Sequence, residues 1–147
     1  MTVPSDASRG VDAGRLWTGG VATAVVAALV ALVGVLICRG LLDVPVLAPT
    51  DEGTLGDAST AQLAGLAALA ALLATGLLHL LLLSTPRPLQ FFGWIVGLAT
   101  VAATVAPFLT DADLSVQVAT AVIYLAIGVS IGSLLSGVAR SAMRLRG

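Results

Sequence analysis

The sequence predicts an all-α fold: a polytopic membrane protein built as an up-down bundle of four transmembrane helices. Three observations carry that prediction. Of 147 residues, 58% are hydrophobic and only 10% charged, where a soluble domain has about 25% charged; the mean hydropathy is +1.05. Four runs, residues 16–38, 61–83, 91–109 and 114–138, hold no Asp, Glu, Lys or Arg, and a helix needs about 20 apolar residues to cross a hydrocarbon core. The seven arginines fall between these runs in an alternating pattern. The runs lack the period-two alternation of a barrel strand.

Residues 1–14 form a small polar tail. The run 16–38 is longer than the signal-peptide core of about 7–15 residues, and no small-x-small cleavage site follows it, so an uncleaved helix is expected. The single cysteine, Cys38, allows no internal disulfide and no multi-cysteine metal site. Ile37 before it is too bulky for lipoprotein processing. The loop 41–59, LLDVPVLAPTDEGTLGDAS, is apolar in its first half, with Pro45 and Pro49, and is expected to lie on the outer bilayer surface. Its second half is acidic and glycine-containing, hence solvated.

Ser59-Thr60-Ala61-Gln62 reads as a capping box for the second helix, with Gln62 turning back to Ser59. Residues 84–90, STPRPLQ, form a tight turn in which Pro86 and Pro88 interrupt the helix. Phe91, Phe92 and Trp94 then anchor the re-entry at headgroup level, and Trp17 does the same for the first run. The third run is the shortest and contains Pro107. Thr110-Asp111-Ala112-Asp113 is a second capping box, with carboxylates suited to a helix N-terminus. Residues 139–147 are a short basic tail.

Arginine placement sets the orientation. Arg9, Arg15, Arg87, Arg140, Arg144 and Arg146, with Asp6 and Asp12, give +4 on one side; Arg39 with Asp43, Asp51, Glu52, Asp57, Asp111 and Asp113 gives −5 on the other. The positive side is expected to be cytoplasmic. The expected location is the cell membrane, with both termini inside.

Few side chains invite chemistry. His79 is the one ionisable group inside a run and is expected to act as an interfacial hydrogen-bonding group, because a proton relay needs partners at its depth. Arg39 and Asp43, four residues apart, are spaced for an outer ion pair. Asp51, Glu52 and Asp57 lack the ligand rhythm of a calcium loop. Gly128, Gly132 and Ser136 make a small-residue stripe for helix packing, extended by Thr120 and Tyr124, and Ala64, Ala68 and Gly76 add similar spacing on the second helix. Arg87, Arg140, Arg144 and Arg146 should contact anionic lipid, at about 1 kcal/mol per charge. No metal, cofactor or nucleic-acid motif is present in the sequence.

Three blocks, RLWTGGVATAVVAALVALVGVLICRGLL from Arg15, STPRPLQFFGWIVGLATVAATVAPF from Ser84 and ATAVIYLAIGVSIGSLLSGVARSA from Ala119, resemble an uncharacterised family of small four-helix membrane proteins from actinobacteria. The alphabet, without Lys or Asn, agrees with a GC-rich source. The resemblance implies a fold and a membrane location but no activity. The leading expectation is a non-enzymatic integral membrane protein, an accessory or interaction subunit that packs with itself or with an envelope complex. The alternative is a small transporter or channel for a neutral or weakly polar solute, lined by Thr23, Thr75, Thr100, Thr104, Gln117 and Thr120.

Overall fold

The computed structural model describes residues 12–49, 55–57 and 59–144. It contains four long helices, each long and apolar enough to cross a membrane. Asp12 opens α1 (Ala13–Gly40) by accepting the backbone N–H of Arg15 at 3.1 Å. Ser59 opens α2 (Thr60–Ser84) by accepting the N–H of Gln62 at 3.1 Å. The Gln62 side chain, expected to turn back to Ser59, instead donates to the Pro49 carbonyl at 2.9 Å.

The turn after α2 is shorter than expected. α3 (Pro88–Val105) starts on Pro88 itself, because a first-turn position does not need the missing N–H. The third run ends as a 3-10 turn, Ala106–Leu109, around buried Pro107. Thr110 does not cap the fourth helix: its hydroxyl donates back to the Pro107 carbonyl at 2.7 Å. α4 (Leu114–Arg144) starts from Asp113, whose carbonyl accepts the N–H groups of Val116 and Gln117. The expected basic tail is, up to Arg144, the last turns of α4.

The helices form a ring in which α1 packs on α2 and α4, and α3 packs on α4 and more loosely on α2. On α1 and α2 the residues that point inward are mostly small. α1 buries Ala24, Ala27, Ala31 and Val35, and α2 buries Leu63, Ala67, Ala71 and Thr75. Large residues such as Val25, Leu29, Leu73 and Leu80 are exposed. α4 instead buries Ile123, Ile127, Ile131 and Leu135; the small inward faces of α1 and α2 have a physical reason, since lipid is as apolar as leucine and helices in it gain from close backbone approach more than from hiding bulk. Ala64 and Ala68 are only half-buried and Gly76 faces open space, so on α2 the close contact runs through Ala67 and Ala71 instead. Phe92, expected at headgroup level, is fully buried, whereas Phe91 and Trp94 are exposed.

The loop after α1 departs most from expectation. The N–H groups of Leu41 and Leu42 both reach the Ile37 carbonyl, and Val44 donates to Cys38 at 2.8 Å. Asp43 takes φ 52, a left-handed conformation that short polar side chains tolerate. The chain therefore reverses tightly and returns into the bundle. β1 (Leu47–Pro49) pairs antiparallel with β2 (Leu55–Asp57), Ala48 opposite Gly56. Val46, Leu47 and Ala48 are buried, so this half of the loop is inserted protein and does not lie on the bilayer surface.

Candidate functional site

An apolar cavity of about 500 Å³ lies between α2, α3 and α4. Leu66, Ala70 and Ala74 line it from α2, Ile95, Ala99 and Ala103 from α3, and Ile127 and Gly128 from α4. It exists because α2 and α3 touch only loosely and because short side chains, Ala70 and Ala74 on α2 and Ala99 and Ala103 on α3, alternate with the larger ones in its lining. Leu73 and Ile95, both exposed, stand at the α2–α3 seam, while α4 forms the back wall. At one end the cavity meets the inserted hairpin through Pro49 and Tyr124.

That end is held by backbone bonds. Leu47 donates its N–H to Thr120 Oγ1 at 3.1 Å, and Tyr124 OH donates to the Leu47 carbonyl at 2.9 Å. Thr120 and Tyr124 are four residues apart, one above the other on α4, and so meet both polar groups of one strand residue. Irregular backbone at this depth is tolerated only where protein satisfies it. The sequence put these two residues on a packing face but gave no sign of what they would bond.

The other candidate path residues are bonded within their own segments. Thr23, Thr75, Thr100 and Thr104 each donate to the carbonyl four residues earlier in their own helix, at 2.7–2.8 Å. Gln117 donates to the carbonyls of Thr110 and Ala112. Of these five residues, only Thr100 borders the cavity.

The small-residue stripe is occupied within the molecule. A Cβ on Gly128 would fall on Thr100, and one on Gly132 would sit 3.3 Å from Val96 Cγ1. Both neighbours belong to α3; Ser136 is half-buried. Three glycines on α1 do similar work: a Cβ on Gly20 would strike Thr75, one on Gly19 would meet Val138, and one on Gly34 would meet Ile123.

His79 sits one turn from the end of α2 and accepts the indole N–H of Trp17 at Nδ1, 3.2 Å. The rings meet edge-on, with centroids 6.5 Å apart. This joins α1 to α2 through side chains 62 residues apart. The two positions were legible as equals in depth, four residues into α1 and five from the end of α2.

Arg39 lies in the last turn of α1, where a cation suits the helix dipole. It makes an interaction of its own, while among the described residues no ion pair joins it to Asp43. Arg87 and Arg140 are exposed at the end of the bundle opposite the hairpin. The Arg144 and Asp57 side chains, Asp51, Glu52, Arg146 and the tail up to residue 11 lie outside the described residues. Among the described residues no three His, Cys, Asp or Glu side chains gather to hold a metal ion.

These features define a small, multi-pass, four-helix membrane protein with a lateral apolar cavity. The chain belongs to a family of unknown function, DUF6069, whose profile matches residues 11–141. No curated protein and no solved structure matches it.

Proposed function

We propose that the chain is a non-enzymatic integral protein of an actinobacterial cell membrane, an accessory subunit that packs against another transmembrane helix, with both termini in the cytoplasm. The observation that supports it is the outer face of α3. Gly93 and Gly97, one turn apart in an apolar helix, have nothing within 4 Å of an added Cβ. Phe92 is the one fully enclosed residue of that helix. A Gly-x-x-x-Gly face lets a second helix approach until the backbones touch. The association surface is thus α3, not the α4 stripe, because α3 already fills that stripe. The arginine bias supports the orientation.

A small transporter or channel for a neutral or weakly polar solute has less support, since the hydroxyls of Thr23, Thr75, Thr100 and Thr104 donate to backbone carbonyls of their own helices. Cross-linking in native membranes, followed by sizing in mild detergent, tests the proposal. Gly97→Leu should abolish the higher assembly and leave a folded monomer, while Val129→Leu, on an exposed face of α4, should not. An unchanged assembly in Gly97→Leu, or no assembly in the wild type, overturns it.

A further inference from the structure

The cavity has a different requirement from the α3 glycine face. Its seam side is lined by Ile95 and Ala99, which at 100° per residue lie at least about 120° around α3 from both Gly93 and Gly97. We infer that this cavity binds a single hydrocarbon chain of a membrane lipid, entering through the α2–α3 seam.

Three possible fillings can be compared. Water needs two to four polar partners in a cavity. The side-chain hydroxyls here have already given their protons away, Thr100 to Val96 and Tyr124 to Leu47, and the rest of the lining is aliphatic apart from Pro49. Water therefore gains almost nothing by entering.

A partner helix is too thick. The lining runs along α2 from Leu63 to Leu77, about 21 Å at 1.5 Å per residue. Dividing about 500 Å³ by that length gives a mean cross-section of about 24 Å². Taking only the α3 lining, Ile95 to Ala103, shortens the length to about 12 Å and raises the cross-section to about 42 Å². A helix with side chains, about 10–12 Å across, needs about 80–110 Å². One hydrocarbon chain at a contact spacing of about 4.5 Å needs about 20 Å².

An empty cavity is the third case. Its lining atoms would lack partners on one side and forfeit their dispersion contacts. Hydrocarbon is the main material on the far side of the seam. A chain that slides in loses no hydration, because it comes from lipid, and gains fixed neighbours on three helices.

The experiment uses the full chain in phosphatidylcholine vesicles that contain a phosphatidylcholine with a photoactivatable diazirine on one acyl chain. Labelled positions are mapped by peptide mass spectrometry. Ala70, Ala74, Ala99 and Ala103 should be labelled about tenfold more than Val25 and Leu29 on the lipid face of α1, a factor equivalent to about 1.4 kcal/mol of preference. Ala74→Phe and Ala103→Phe fill the space from facing helices and should remove that excess; Val25→Phe should not. If both filling variants unfold, the wild-type map decides alone. Even labelling around the bundle, or none inside the cavity, overturns the inference. An organic extract of protein purified from cells should contain about one chain-bearing molecule per protein, as expected for a single-chain cavity, and its mass separates a phospholipid from a free fatty acid or an isoprenoid. An extract without such a molecule also counts against the site. Either failure leaves the α3 association test untouched, since that test reads assembly size.

Discussion

Replacing Thr120 with valine removes one acceptor and almost no shape. Thr120 is fully buried, and its Oγ1 takes the Leu47 N–H at 3.1 Å. The amide would be left among aliphatic groups, with lipid rather than water beyond them. An orphaned buried donor costs about 1–3 kcal/mol. If that falls on docking of the hairpin, the withdrawn population rises about 5- to 150-fold. Hydrogen exchange at the Leu47 and Ala48 amides of the full chain in detergent reads this population directly. Tyr124→Phe should have a smaller effect, because a carbonyl short of one donor is better tolerated than an orphaned N–H. Thr104→Val should have almost none, since its hydroxyl bonds only to its own helix at the Thr100 carbonyl. Exchange in Thr120→Val that matches wild type, or matches Thr104→Val, would refute the account of the hairpin as a part bonded into the bundle.

Gly128→Ala should lower thermal stability in detergent by about 1–3 kcal/mol of overpacking, and Gly132→Ala by less, because its nearest neighbour stands at 3.3 Å and can yield. His79→Leu should cost about 0.5–1.5 kcal/mol through the lost Trp17 bond, whereas His79→Gln should restore most of it by offering an acceptor; equal losses would show that the ring contact alone matters. In intact cells, with Cys38→Ser as background, an impermeant thiol reagent should label Thr54→Cys and spare Ser84→Cys; the opposite pattern would reverse the proposed orientation.

The four helices were readable because hydrocarbon thickness sets a minimum length for an apolar run, and they begin at Ala13, Thr60, Pro88 and Leu114 where the runs begin at residues 16, 61, 91 and 114. Packing was readable only in kind. The small-residue rule marked Gly128 and Gly132, but Gly19, Gly20 and Gly34 on α1 make equally close approaches, and nothing local separates them from lipid-facing glycines such as Gly93. The inserted hairpin was hidden for a different reason. Its first half is apolar, and an apolar loop suits a bilayer surface as well as a protein interior. What decides between them is a pair of bonds to residues 73 and 77 positions away. The cavity was invisible because it is a property of what three helices leave unfilled, and no single run of residues encodes it.

The same separation along the chain constrains how the protein is made. Synthesis proceeds at about 5–20 residues per second, so Thr120 follows Leu47, 73 positions earlier, by about 4–15 s. During that interval Leu47 has no bonding partner on α4, because α4 does not yet exist. Moving its bare N–H and carbonyl into lipid would carry the penalty of unsatisfied backbone at membrane depth. The segment must therefore wait outside the hydrocarbon core while α1, α2 and α3 are threaded, and seat itself only after the last helix arrives. Insertion of the loop is then the closing event of assembly, and a chain halted before residue 120 would display Val46–Ala48 as an exposed apolar strand for quality control to recognise.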